Sequence, residues 1–337
     1  MERSKAESMP EKAESMLERT TMSTARRTGA SQAAIFDRVA AGPISWGVCE
    51  VPNWGIQLPP DHVLSEMRSL GIVGTEAGPD GYLGDDPARV RALLERNGLE
   101  LVGGFLPVVL HDPAQLEASL AKVRRTAAFF AELGGQVLCS AAVVDDDWSP
   151  RIELSESQWD HVFTALRLLD QAASEHGIVH ALHPHWGTIV ERDDDVMRVL
   201  ERSNVGICLD TGHLALGGSD ALDIARAYAH RVVHVHLKDV SDPVADRLRS
   251  GELDLVMAVQ AGLFRPLGAG DARVDQVVVA LEQAGYAGWY VLEQDTAITG
   301  TVPVRGHGPV DDVRRSVEFL QAVVHGAVGV VPTTEGG

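Results

Sequence analysis

The 337-residue chain is short of cysteine, of aromatic residues and of positive charge. Its three cysteines, Cys49, Cys139 and Cys208, are widely spaced and form no Cys-x-x-Cys pair. That excludes a disulfide framework and favours a reducing compartment, the cytoplasm. Lys and Arg number 29 against 48 Asp and Glu, a formal net charge of −19. A surface so acidic lacks the basic footprint that a nucleic acid requires, and it does not suit an anionic membrane. No apolar run approaches the roughly 18 residues of a membrane-spanning helix. Near the N-terminus there is no apolar signal-peptide core. Arg19, Arg26 and Arg27 among Ser and Thr hint at a transit peptide, but Glu2, Glu7, Glu11, Glu14 and Glu18 argue against one. Residues 1–38 are therefore read as a disordered N-terminal extension, with Met22 as an alternative start, and residues 327–337 as a flexible tail.

What the chain has is rhythm. Short β-rich runs at 43–48, 74–78, 100–106, 136–142, 179–185, 206–211, 232–239 and 289–295 alternate with amphipathic stretches at 87–97, 113–133, 156–176, 193–201, 221–230, 274–284 and 310–324. Several of these stretches stop at a glycine (Gly98, Gly134, Gly177, Gly285), as a helix C-terminus favours. Strands alternating with helices imply parallel βαβ units, and eight of them imply a closed (β/α)8 barrel in a single α/β domain over residues 39–326. No Gly-x-Gly-x-x-Gly or Walker loop supports an open, doubly wound sheet. The unit between the seventh and eighth runs is long; it carries a charged helix-like stretch at 246–254 and a loop at 264–271, a lid or rim for the active face.

Barrel strands are normally apolar because both faces are covered. Four of these break the rule near their C-terminal ends: His180-Ala181-Leu182-His183-Pro184-His185, Cys208-Leu209-Asp210-Thr211-Gly212-His213, His234-Val235-His236-Leu237-Lys238-Asp239 and Val291-Leu292-Glu293-Gln294-Asp295. Period-two geometry puts His183, Asp210, His236 and Glu293 in one inward layer, with His234 below and Lys238 above. Two carboxylates and two imidazoles converging in a core are costly without a cation. The donor set suits Mn²⁺, Co²⁺, Fe²⁺ or Zn²⁺ better than the oxygen-seeking Mg²⁺ or Ca²⁺. Glu76 on the second strand is a candidate acceptor for substrate hydroxyls, and His213 a substrate contact. Trp46 and Trp186 are candidate pocket walls. His62, His111, His161, His176, His230, His307 and His325 fall on helices or loops and are read as solvated.

The sequence resembles the xylose isomerase-like barrel superfamily, and within it the inosose (2-keto-myo-inositol) dehydratase group. The likeness rests on His183-Pro184-His185-Trp186-Gly187-Thr188, Leu209-Asp210-Thr211-Gly212-His213, His234-Val235-His236-Leu237-Lys238-Asp239, Pro266-Leu267-Gly268-Ala269-Gly270 and Gly288-Trp289-Tyr290-Val291-Leu292-Glu293-Gln294-Asp295. It spans roughly residues 42–324 and implies a TIM barrel binding a divalent metal, Mn²⁺ or Co²⁺ before Fe²⁺, Zn²⁺ or Mg²⁺. The metal ligands it implies are His183, Asp210, His236 and Glu293. His183 departs from the pattern, since the sugar epimerases carry a glutamate there. The resemblance implies a lyase that dehydrates a cyclic polyol ketone through an enediolate, with Glu293 or His185 as base and His213 or Lys238 as acid. A keto-sugar isomerase or epimerase, a lyase of 3-keto-glycosides and a non-catalytic sugar-binding barrel are the alternatives. A small polyol ketone or keto-sugar is the expected partner, and a homo-oligomer is left open.

Overall fold

Eight parallel strands close into a barrel in chain order: β1 (Val39–Ala41), β2 (Gly74–Glu76), β3 (Glu100–Val109), β4 (Val137–Val143), β5 (Val179–Leu182), β6 (Gly206–Asp210), β7 (Val232–Leu237) and β8 (Tyr290–Leu292). The structure is a computed structural model and describes residues 32–51 and 53–328. The readings of residues 1–31 and 329–337 lie outside the described residues. Helices fill the crossovers, several with the ends their sequence dictates. Asp86 caps Pro87–Asn97 by accepting from the Ala88 N–H, and Ser155 with Gln158 forms a capping box on Glu156–Ser174. Gly98 and Gly134 end their helices at φ 62° and 85°, in the left-handed region open to glycine.

Both ends of the expected domain shift. The first strand is Val39–Ala41, not 43–48. Pro43 cannot donate to a ladder, and Pro43–Trp46 instead winds into a 3₁₀ turn whose Ser45 N–H reaches the Gly42 carbonyl. Gln32–Arg38, read from the sequence as part of a disordered extension, forms another 3₁₀ segment. It packs on the barrel because Arg38 is buried and donates to the Tyr286 and Gly288 carbonyls at 3.2 and 3.0 Å and to Glu282 at 2.8 Å. The final helix, Pro309–Val328, runs past the expected end at 326.

Inside the barrel, apolar side chains are small apart from Trp289. Ala40, Val102, Trp289 and Val291 form one cluster, and Val137, Cys139, Ala181 and Cys208 another. The larger core lies between strands and helices. After β7 the chain makes its excursion. Asp239–Val240 pairs antiparallel with Phe264–Arg265, and between them stand helices Asp242–Arg249 and Leu255–Gln260. The helix-like stretch expected over 246–254 is helical only as far as Arg249, in a helix that starts earlier at Asp242, and the second helix begins beyond it at Leu255. The excursion packs its own apolar cluster, including Val240, Leu248 and Phe264, against Trp54 and Leu216, with Trp186 alongside. It is a built rim over the C-terminal ends of the strands. Among the described residues no helix is long and apolar enough to cross a membrane.

Candidate active site

The motif after β6 and the one on β7 interlock residue by residue. Asp210 caps the helix Thr211–Gly217, its Oδ1 accepting from the Gly212 and His213 N–H groups at 2.8 Å each. That leaves Oδ2 for the barrel interior. The Thr211 hydroxyl donates to the Lys238 carbonyl at 2.6 Å and accepts from the Lys238 N–H at 2.9 Å. A Cβ on Gly212 would come within 2.6 Å of the Lys238 stem, so only glycine leaves that side chain its path. His213 then meets the ammonium, Nε2 to Nζ 3.1 Å. Asp239 fastens the rim: its carboxylate accepts from the N–H groups of Gly268, Gly270, Ala272 and Val240 at 2.8–3.0 Å. A Cβ on Gly270 would lie 2.5 Å from Asp239 Oδ1, which explains the glycine.

Asp210 stands opposite His236 in the β6–β7 register, and Val291 opposite His236 across β7–β8. Glu293, two residues on, is flanked by Ser45, whose hydroxyl donates to the Leu292 carbonyl at 3.3 Å and accepts from the Gln294 N–H at 3.0 Å. The polar side chains meet in the upper barrel. His236 Nδ1 lies 3.3 Å from Glu293 Oε2 and 3.6 Å from Asp210 Oδ2, and His183 Nε2 lies 3.3 Å from Asp210 Oδ2. Asp210, His236 and Glu293 offer ligand atoms within 4.8 Å of one another, and so, separately, do His183, Asp210 and His213. The four residues expected in one layer are thus adjacent, with Asp210 common to both trios. The Nδ1 atoms of His183 and His236 are buried and make no hydrogen bond.

Lys238 is 2% exposed and is held at 2.8 Å from Glu293 Oε2, 2.7 Å from Asp295 Oδ1 and 3.5 Å from Asp210 Oδ2. Burial alone would lower its pKa, but the three carboxylates, Asp210 first, outweigh that and keep it protonated. Burial likewise opposes the ionised forms of Asp210 and Glu293. Lys238 and His213 overcome it at Asp210, and His236 and Lys238 hold Glu293 at about 2. Asp295 goes the other way, raised to about 6 by burial and by the Glu293 charge, against the pull of Lys238. His185 and His213 stack with centroids 3.8 Å apart. Burial, then neighbouring cationic groups, lowers His185 to about 3, and burial with His185 lowers His213. Both rings are neutral at ordinary pH. The Trp186 carbonyl, 2.8 Å from His185 Nδ1, can only accept, so Nδ1 carries the proton and Nε2 the lone pair.

Several expectations need correction. Glu76 is buried and spent within the protein, its Oε1 2.9 Å from His234 Nε2 and 3.0 Å from His236 Nε2. Trp46 is no pocket wall; it is fully buried, its indole N–H donating to Glu66 at 2.8 Å. Trp186 lies against the rim cluster and touches the site through its backbone. His62 and His111 are buried rather than solvated, and His62 bonds Glu66 at 3.1 Å. Sequence reasoning missed an aromatic wall: Phe105 lies 5.7 Å from the His183 ring and 5.6 Å from His185, and Trp148 lies 5.6 Å from His185. Phe105 was hidden in an apolar run, and Trp148 in a loop after β4, where it holds a left-handed φ of 56°. Asp295, two residues beyond Glu293 and so on the same face, also belongs to the site through Lys238.

Ionisable groups from strands five to eight and their ends thus converge inside the barrel. The family described as xylose isomerase-like TIM barrel matches residues 64–323. The chain belongs to the xylose isomerase-like TIM barrel family. An inosose dehydratase of Geobacillus kaustophilus is 31% identical over 306 residues, 86% of this chain and 95% of the relative. The rhizopine catabolism protein MocC of Rhizobium meliloti is 32% identical over 77% of this chain and 81% of its own. The structure of an L-ribulose 3-epimerase superposes with a TM-score of 0.65, covering 89% of this chain and 99% of that one, at 15% identity. Within this family, then, the present barrel shares its fold with an epimerase and far more of its sequence with inosose dehydratases.

Proposed function

We propose that the protein is a metal-dependent dehydratase of a cyclic polyol ketone, 2-keto-myo-inositol or a close relative. The observation that carries this reading is the likeness to inosose dehydratases along nearly the whole chain. The likeness to the epimerase shows the fold alone. The residues fit a divalent cation, because the buried, unpartnered Nδ1 of His236 faces two carboxylate oxygens, an arrangement that a lone pair tolerates only around positive charge. His183, Asp210, His236 and Glu293 are the residues to hold it, and Mn²⁺ or Co²⁺ suits such mixed nitrogen and oxygen donors. When bound, the cation acidifies the proton α to the substrate carbonyl.

The remaining chemistry belongs to this chain's own side chains. Glu293 Oε2 is engaged by Lys238 and His236, so the better-placed base is His185, whose Nε2 lone pair is fixed by the Trp186 carbonyl. Lys238, kept protonated, is the acid. As the α-proton passes to His185, the electron pair left on carbon forms the double bond, the β-carbon–oxygen bond breaks, and the hydroxyl leaves as water with the Lys238 proton. His213, neutral and 3.1 Å from Lys238, orients that ammonium. Phe105 and Trp148 supply an apolar wall for the ring. Epimerisation from two faces suits paired carboxylate bases, and here one position of that pair is the imidazole of His183. Replacing Lys238 by Met tests the assignment. Dehydration should fall by roughly 10²–10⁴, the worth of a positioned acid, while α-proton exchange into D₂O persists. Equal loss of both rates would remove Lys238 as the acid.

A further inference from the structure

Glu76 stands on β2, across the barrel from β7, and only 3% of it is exposed. One of its oxygens, Oε1, receives two imidazoles at once, His234 Nε2 at 2.9 Å and His236 Nε2 at 3.0 Å. A carboxylate oxygen accepts and has no proton to give, and this one lies within hydrogen-bond distance of both rings. Both Nε2 atoms must therefore carry hydrogen. An imidazole that ligates a cation is neutral and has one N–H, so the lone pair His236 can offer a cation is confined to Nδ1. That atom is buried, has no hydrogen-bond partner, and faces Glu293 Oε2 at 3.3 Å and Asp210 Oδ2 at 3.6 Å. The second N–H, from the fully buried His234, fixes the carboxylate against rotation.

We infer that Glu76 is a positioning residue: by accepting from both β7 histidines it selects the His236 tautomer whose lone pair completes a cation site with Asp210 and Glu293. It is not the substrate-hydroxyl acceptor that its sequence suggests. The inference rests on the metal reading above but not on the identity of the substrate. A carboxylate behind a ligating histidine orients the ring and raises its basicity, and losing it typically weakens metal binding 10–100-fold.

The test is Co²⁺ affinity of the metal-free full chain, measured by competition with a coloured chelator. Glu76→Ala should weaken Co²⁺ binding 10–100-fold, Glu76→Gln should recover part of the loss because it keeps an acceptor oxygen, and KM for the cyclic ketone at saturating Co²⁺ should stay unchanged. Wild-type affinity in Glu76→Ala overturns the inference. So does a rise in KM with metal affinity intact, which would put Glu76 on the substrate. Should Glu76→Ala fail to fold, ¹⁵N-histidine NMR of the Zn²⁺-loaded wild type decides instead: hydrogen on His236 Nε2 and metal on Nδ1 supports it, and the reverse overturns it. A wild type that binds no divalent cation defeats both the metal reading and this one. Normal metal behaviour with no turnover of any cyclic ketone defeats only the dehydration reading.

Discussion

At the scale of single residues, the site is a balance of charge in a space of low polarity. Lys238 offsets Asp210, Glu293 and Asp295, while His185 and His213 stay neutral beside it. The neutrality of His185 has a consequence for pH. Its pKa in the folded protein is about 3, below the ordinary 6.5, so on acidification the unfolded chain takes up this proton first. The contribution to stability is full above pH 6.5 and is lost as pH falls from 6.5 toward 3. Thermal unfolding of wild type and His185→Gln across that window should show a steeper acid decline of Tm in the wild type. Parallel declines would mean that His185 titrates normally.

At the scale of elements, the rim and the N-terminal 3₁₀ segment carry the strongest expectations. Asp239→Ala leaves four N–H groups of the 239–272 turn without their acceptor. Of the four donors only the Val240 N–H is buried, and an unpaired buried donor costs about 1–3 kcal/mol, so the loss should be of that order, seen as a lower Tm and faster amide exchange over 264–272. An unchanged Tm would show that the turn holds itself. A chain begun at Val39 should melt below one begun at Gln32, having lost the Arg38 bonds to Tyr286, Gly288 and Glu282. Equal melting of the two would make the segment dispensable. These elements also show where sequence is legible. The polar ends of β5 to β8 stood out because period two sorts inward from outward residues and buried strands are otherwise apolar. Pro43–Trp46 read as a strand because its β-prone residues say nothing of Pro43 ending the ladder at Gly42. The partners of Glu76 are 158 and 160 residues away, and no local pattern encodes a contact across a barrel. Phe105 and Trp148 are ordinary aromatics until the barrel closes and sets them against His183 and His185.

At the scale of the whole molecule, a closed barrel gathers side chains from six strands or their ends and a rim from the β7–β8 excursion onto one face, which is how this architecture builds enzymes. The small interior of Ala40, Cys139, Ala181 and Cys208 supports that polar layer from below. The same metal-and-carboxylate framework serves elimination and epimerisation alike in chemical principle. The proposed mechanism, with His185 as base, Lys238 as acid and an imidazole at position 183, favours elimination. The most direct test is to incubate the Mn²⁺- or Co²⁺-reconstituted protein with 2-keto-myo-inositol in D₂O and follow the products by mass spectrometry. The expected product is lighter than the substrate by one water; recovered ketone or its epimer carrying deuterium at the α-carbon, with no loss of water, would contradict the dehydratase reading.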